Sequence, residues 1–234
     1  MEKTGGVRAP AKLTLSLRVT GVRPDGYHLI DAEMVSVDLC DTLEFAEGDG
    51  LTVTGLAIPA GGDNLVTRAL RAVGRTAHVT LHKEIPAGAG LGGGSSDAAA
   101  VLRWAGVTDD VALAASLGGD VPFCVRGGRA RVRGIGDVLE PLPFEARTFT
   151  LLTPPLHVST PAVYKKWDEL GGPRAAGPND LEPAAMAVCP ELAAYRDQLG
   201  AATGAVPVLA GSGSTWFVEG AFPDAGRVVS TISG

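Results

Sequence analysis

Hydrophobic and polar positions alternate from Val7 to Val19, around Leu13, Leu15 and Leu17, and that period of two predicts a strand. Arg23-Pro24-Asp25-Gly26 supplies a turn, and Met34 to Leu39, Thr42 to Phe45 and Leu51 to Leu56 predict three further strands. Pro59 and the Gly61-Gly62 pair close the last of them. From Asn64 the period lengthens. Leu65, Ala69, Leu70 and Val73 share a helical face, with Asp63 or Asn64 as N-cap. Val79 to Ile85 predicts a strand, Ser95 to Ala105 a helix, and Asp109 to Leu117 a shorter helix stopped at Gly118-Gly119. Arg129 to Arg133 and Asp137 to Leu142 predict a strand pair joined through Gly134 and Gly136, followed by a strand from Phe149 to Leu152. Thr160 to Leu170 predicts a helix with Thr160 as N-cap and Pro161 at its first position. Asn179 to Val188 and Pro190 to Leu199 predict two more. Val206 to Ala210 and Thr215 to Val218 are strands around a second glycine-serine turn, and one element follows Gly220. The succession is mixed α+β, with a boundary near residue 145 and no internal repeat.

The most informative interruption of this pattern is Pro86-Ala87-Gly88-Ala89-Gly90-Leu91-Gly92-Gly93-Gly94-Ser95-Ser96. Glycine lets a backbone take positive φ and approach a ligand closely, and a helix start directs unpaired N–H groups at an anion. A phosphate cradle between strand and helix is the reading; a flexible linker is the alternative, and linkers seldom stand between a β-branched strand and an Ala-rich helix. A Walker A loop needs Lys after its last glycine, where this chain has Ser95. Gly88, Gly90 and Gly93 do satisfy a dinucleotide fingerprint, with Asp109 at a suitable distance downstream. That fingerprint requires its acid at the end of a second strand, whereas Gly106-Val107-Thr108 predicts a turn between helices.

Composition narrows the partners. A formal charge of −6 without any Lys/Arg block argues against nucleic acid or an anionic membrane surface. Arg129, Arg131 and Arg133 alternate, as on the solvated face of a strand. No 18-residue apolar run predicts a membrane span, and residues 1–6 lack the apolar centre of a signal peptide. Cys40, Cys124 and Cys189 read as buried thiols of a reducing cytoplasm, and His28, His78, His82 and His157 show no metal-ligand spacing.

The loop from Pro86 to Ser96 resembles the second motif of the GHMP kinases, the group of galactokinase, homoserine kinase, mevalonate kinase and phosphomevalonate kinase. Three other segments agree in order along nearly the whole chain. Ala9-Pro10-Ala11-Lys12-Leu13-Thr14-Leu15 resembles the family's N-terminal strand motif, Gly118-Gly119-Asp120-Val121-Pro122-Phe123 its acidic segment, and Leu209-Ala210-Gly211-Ser212-Gly213-Ser214-Thr215 its third glycine motif. The resemblance implies a two-domain α+β architecture: a ribosomal protein S5 domain 2-like unit over 1–145 and a ferredoxin-like unit over 146–234, with the active site in the cleft between them. Arg23-Pro24-Asp25-Gly26-Tyr27-His28, Asp63-Asn64-Leu65-Val66 and Ser159-Thr160-Pro161-Ala162-Val163-Tyr164 are most similar to the branch acting in the non-mevalonate isoprenoid pathway. Its acceptor is a cytidine-diphosphate-linked sugar alcohol, phosphorylated on the 2-hydroxyl.

From that resemblance follow the expected roles. ATP with Mg²⁺ is the donor, held by Pro86 to Ser96, with Asn64 and Leu65 near its adenosine end. Ser96, or Ser95, is expected to contact Mg²⁺; either can cap the following helix, and both roles can coexist. A lysine within a strand ordinarily faces solvent, but Lys12 matches the family's catalytic lysine. Asp120 is the candidate general base, with a plain turn aspartate as the alternative. Tyr27 and Tyr164 are candidates to stack on cytosine, or else core residues, and His28 to hydrogen-bond it. Thr160, Gly211 and Ser212 are expected at the acceptor. Thr14 stands where the family has Asn, which leaves a shorter contact with fewer hydrogen bonds. Helical segments around 65–75 and 100–117 are trimmed against the family pattern. A GHMP kinase for homoserine or mevalonate, and a catalytically silent nucleotide-binding protein, remain as alternatives, and monomer or homodimer is open.

Overall fold

The computed structural model of the chain describes residues 6–56 and 64–234; Pro59, Gly61-Gly62 and the cap alternative Asp63 lie outside the described residues. β1 (Val7–Val22) and β2 (His28–Ala46) form one long antiparallel hairpin, turned over residues 23–27. The strands predicted over 34–39 and 42–45 are thus a single strand. Asp41 interrupts the apolar run without ending it, because its carboxylate is fully bonded inside the fold: Oδ1 accepts the N–H groups of Glu84 and Ile85 at 2.6 and 2.9 Å, and Oδ2 accepts Lys83.

After β3 (Gly50–Gly55), α1 (Leu65–Ala72) carries the chain to β4 (His78–Lys83), which pairs in parallel with β3. Three helices follow, α2 (Gly93–Trp104), α3 (Val111–Leu117) and α4 (Val121–Arg126). The last is not predicted by the sequence, because Gly118-Gly119 and Pro122 hide so short a helix. Strands β5 (Arg129–Gly134) and β6 (Val138–Pro141) complete a sheet of order β3-β4-β2-β5-β6, with β1 on β2. The length of β2 makes this possible. One of its edges takes β1; the other takes β5 at residues 30–35 and β4 at 42–46.

Next come β7 (Thr148–Leu152), α5 (Thr160–Glu169), α6 (Glu182–Val188), α7 (Leu192–Thr203), β8 (Val208–Leu209), β9 (Trp216–Glu219) and β10 (Arg227–Ser230). These four strands form a second sheet of order β10-β7-β9-β8. Ser159, not Thr160, stands at the N-cap of α5, and α6 begins three residues later than predicted.

β1 serves two cores because its register breaks. Shifts fall between Pro10 and Lys12, where Ala11 stands opposite three residues of β2, and between Thr14 and Ser16, where β1 carries the extra residue; across each, the side to which the strand's alternation points reverses. Ala11 and Leu13 therefore pack with Val35, Val37 and Leu39 against Phe149, Leu151 and Phe217 of the second sheet. Ala9, Leu17 and Val19 face the other way, into the core around α2. The same device turns Lys12 and Thr14 toward the helices.

The free edge of β1 is covered by residues 178–180. The Leu17 N–H donates to the Pro178 carbonyl and the Asp180 N–H to the Leu17 carbonyl, both at 2.9 Å. Asp180, fully buried, accepts Arg18 Nη1 at 2.7 Å and the N–H groups of Val19 and Ala175 at 3.1 Å. Removing Asp180 strands the Val19 and Ala175 N–H groups, at about 1–3 kcal/mol for each buried donor, while Arg18, a third exposed, keeps access to water. Asp180→Ala is expected to lower the unfolding free energy in guanidinium by that amount per donor; a loss below about 1 kcal/mol would mean that this edge does not hold β1.

Candidate active site

The helix start at the glycine loop is built by close backbone approach. Gly92, at φ +68°, ends the loop as the N-cap of α2, and a Cβ there would stand 2.8 Å from Lys12 Cγ. Gly90, at φ +77°, lies so near the 210–213 turn that a Cβ would collide with the Ala210 carbonyl oxygen and stand 2.8 Å from that of Gly213. The Lys12 N–H donates to the Leu91 carbonyl at 3.0 Å, and the Thr215 N–H to that of Ala89 at 3.1 Å. Neither serine caps the helix, which starts two residues before the predicted Ser95, at Gly93. Its first N–H groups open onto a cleft of about 710 Å³.

That cleft collects nearly every residue singled out from the sequence. Pro86 to Gly90 and Gly92 to Ser95 form one wall, with Asn64 and Leu65 beside them. Lys12, Thr14, Asp120, Thr160, Tyr164, Gly211 and Ser212 form the rest. Leu91 and Ser96 do not reach it. Leu91 is buried in the core, and Ser96, 1% exposed, donates its hydroxyl to the Pro10 carbonyl. The hydroxyl of Ser96 is thus committed behind the loop, and Ser95 is the serine that faces the cleft.

A second hollow of about 610 Å³ continues from the first, sharing Ser95, Asp120, Thr160 and Tyr164 with it. Tyr27 and His28 line it. His28 Nε2 lies 2.8 Å from Asp168 Oδ1, and its ring sits 4.6 Å from that of Tyr164 and edge-on to Trp167. Tyr27 is 61% exposed, so the core alternative for it does not hold. Burial, and then the Asp120 carboxylate, push the Tyr164 hydroxyl well above its ordinary value.

Asp120 stands where the hollows meet. Lys12 Nζ is 3.4 Å from its Oδ2 and donates to Thr14 Oγ1 at 3.0 Å. The lysine side chain is 6% exposed and the aspartate 34%, so the ammonium is fixed in the wall while the carboxylate stays open to a ligand. Thr160, predicted as a cap, instead shares a 2.7 Å hydrogen bond with the Ser212 hydroxyl. Asn64 Oδ1 accepts the Val66 N–H at 2.8 Å and caps α1. Behind the site, burial raises the Cys124 thiol to about 12. Cys40 and Cys189 are only half-buried, against expectation, and all three cysteines are free. Arg129, Arg131 and Arg133 pair with Glu33, Asp31 and Glu140 on their strand face.

Three contributors escaped sequence reading. Asn179 donates to the carbonyls of Leu209 and Gly211 at 2.8 and 2.7 Å, holding the second glycine turn. Lys83 and Asp97 also line the cleft. A signal existed for both. Lys83 shares strand parity with Val79, Leu81 and Ile85, and Asp97 opens the otherwise apolar run of α2.

The comparisons with known proteins agree with this geometry. The description "GHMP kinases N terminal domain" matches residues 64–128. A 4-diphosphocytidyl-2-C-methyl-D-erythritol kinase of Cereibacter sphaeroides (strain ATCC 17025 / ATH 2.4.3) is 41% identical, over 89% of this chain and 87% of its own length. This chain belongs to the GHMP kinase family. A second relative of the same name, from Paracoccus denitrificans, is 40% identical over 89% of this chain and 84% of its own. A crystal structure of 4-(cytidine 5'-diphospho)-2C-methyl-D-erythritol kinase superposes with a TM-score of 0.77 at 35% identity, covering 97% of this chain and 98% of the other. The fold extends to mevalonate kinase of L. major, at a TM-score of 0.66 and 15% identity.

Burial raises the Asp97 carboxyl from 3.8 to about 7, against the opposing pull of Lys83. The folded chain then keeps a proton that the unfolded chain releases near 3.8. Asp97's favourable share is complete below pH 3.8 and is lost as pH rises through 7. Asp97→Asn removes this dependence. Its stability relative to the parent is expected to rise between pH 5 and 7, by up to about 1.4 kcal/mol per unit, in chemical denaturation at each pH. A difference constant over that range would contradict the assignment.

Proposed function

We propose that this GHMP kinase transfers the γ-phosphoryl group of ATP to the 2-hydroxyl of 4-diphosphocytidyl-2-C-methyl-D-erythritol. The observation that carries the reading is the Lys12–Asp120 pair at the junction of a glycine-lined cleft and an aromatic hollow. Residues 1–145 and 146–234 are the two units whose elements wall these hollows.

The cradle fits a nucleoside triphosphate because side chains are missing where the phosphates would lie and α2 starts there, with its first N–H groups directed at them. Asn64 and Leu65 flank the adenosine end. Phosphoryl transfer depends on positioning and on neutralising charge more than on covalent work by the protein. Asp120 takes the proton of the acceptor hydroxyl as that oxygen bonds to the γ-phosphorus and the bond to ADP breaks. Lys12 orients the Asp120 carboxylate, and its ammonium offsets negative charge on the group in transit. Thr14 holds Lys12 in place, which gives the hydroxyl a use where the family has Asn.

Mg²⁺ supplies further neutralisation of the β- and γ-phosphates in this chemistry. Among the described residues no cluster of three His, Cys, Asp or Glu could hold a metal. Ser95 and Asp120, which both line the cleft, are the side chains that would contact the ion beside the phosphates.

His28, fixed by Asp168 and packed on Tyr164, offers a polar edge within an aromatic surface, and Tyr27 supplies an open ring at the rim. Nucleobases are bound by stacking and edge hydrogen bonds of this kind. Thr160, Gly211 and Ser212 face the acceptor where the hollows join. No helix among the described residues is long and apolar enough to cross a membrane, and three free thiols suit a reducing cytoplasm, where we place the enzyme.

General-base catalysis is worth about 10²–10⁴ in rate. Asp120→Asn is expected to lose that factor in kcat while ATP affinity, measured by titration calorimetry, stays within about threefold. An equal loss of ATP binding would make Asp120 a structural residue.

A further inference from the structure

Three ionisable side chains that phosphoryl transfer leaves unused lie beneath the glycine loop. Lys83 closes β4, Asp97 stands near the start of α2, and Asp41 comes from β2. None is more than 4% exposed. Lys83 Nζ donates to Asp41 Oδ2 and, at 2.8 Å, to Asp97 Oδ2. Asp41 Oδ1 accepts the N–H groups of Glu84 and Ile85, by which the chain leaves β4 for the loop. The loop is thus anchored at its entrance by Asp41 and at its exit by Asp97, and Lys83 joins the anchors.

This is a costly way to hold a loop. Two carboxyls share one ammonium away from water, and Asp97 Oδ1 has no hydrogen-bond partner among the described residues. Apolar groups of the same shape often give equal or greater stability than a buried ionic cluster. A cluster that spends stability beside a ligand loop points to a role in function. Its place defines the role. A Cβ on Gly93 would stand 3.2 Å from Lys83 Nζ, so the ammonium lies directly under the first residue of α2. Its charge is already taken up by the two carboxyls, so its effect on a bound phosphate is through geometry.

We propose that Asp41, Lys83 and Asp97 are positioning residues, a buried charge clamp that sets the spacing between the two ends of the phosphate-binding loop. The clamp rests on the reading that this loop holds ATP. Asp97 is the arm to test, because Asp41 also carries two backbone N–H groups and Lys83 leaves two carboxyls facing each other.

In Asp97→Ala, the KM for ATP should rise about tenfold, while kcat and the KM for the cytidine-diphosphate acceptor stay within about twofold. Amide hydrogens of Glu84 and Ile85, on the far side of the clamp, should exchange faster with deuterium. Asp97→Asn keeps an acceptor for Lys83 without the charge; it should raise the ATP KM about threefold and melt no lower than the parent at pH 8. A merely structural Asp97 would instead lower stability and degrade both substrates' constants together. Unchanged ATP KM and unchanged exchange at Glu84 and Ile85 in the Asn variant overturn the clamp, whether or not the Ala variant folds. Titrating the parent with ATP alone separates the two readings. Failure of the parent to bind ATP removes the donor assignment, whereas equal binding by parent and variants removes only the clamp.

Discussion

Three stretches of backbone meet almost without side chains between them: the glycine loop, the bulged start of β1 and the 210–213 turn. The Lys12 N–H bonds to Leu91, the Thr215 N–H bonds to Ala89, and Gly90 leaves no room for a methyl against the Ala210 carbonyl. The positions of the groups that line the cleft depend on this contact. It points α2's free N–H groups into the cleft and sets Lys12 and Thr14 beside them. It also draws Gly211 and Ser212, from the far end of the chain, to within reach of Thr160. Asn179 and Asp180 support the arrangement from behind. The first ties down the glycine turn, and the second ties down β1.

Charge is distributed with equal economy. The chain is acidic overall, at −6, yet the cleft that would receive a polyanion presents a helix N-terminus and a buried ammonium. The arginines of β5 play no part, since acidic neighbours occupy them. Asp120 keeps a third of its side-chain surface open beside an immobile lysine, the arrangement a proton acceptor needs if it is to meet a substrate hydroxyl. Ser96 and Cys124, close by in sequence or space, are sealed into the interior and have no access to a ligand.

Much of this was legible beforehand, for identifiable reasons. Strands and helices with unbroken periods, such as those of α1, β4 and β5, fall where alternation or helical spacing places them. The glycine loop stood out by composition as a segment of close backbone approach before a helix start, and the family motifs then linked Lys12, Asp120 and the 209–215 turn, which lie far apart in sequence and line one cleft. What stayed hidden was set by tertiary bonds. Asp41 looked like a strand break until its three partners were known. Thr160 looked like a cap, although its hydroxyl is taken by Ser212. Ser96 was indistinguishable from Ser95 until helix phase sent one hydroxyl inward and the other into the cleft. The register breaks of β1 carry a marker only at Pro10, which cannot donate to the ladder, and they turn Lys12 out of an apolar strand and into the cleft.

The central claim is that this cleft phosphorylates the 2-hydroxyl of a cytidine-diphosphate-linked sugar alcohol. Its most direct test is ³¹P NMR of the product formed with ATP and Mg²⁺, with homoserine and mevalonate as parallel acceptors. The account predicts one new phosphomonoester signal on the 2-position of 4-diphosphocytidyl-2-C-methyl-D-erythritol, and no product from the other two. Phosphorylation of homoserine or mevalonate, or no transfer to the cytidine acceptor by folded, ATP-binding protein, would contradict it.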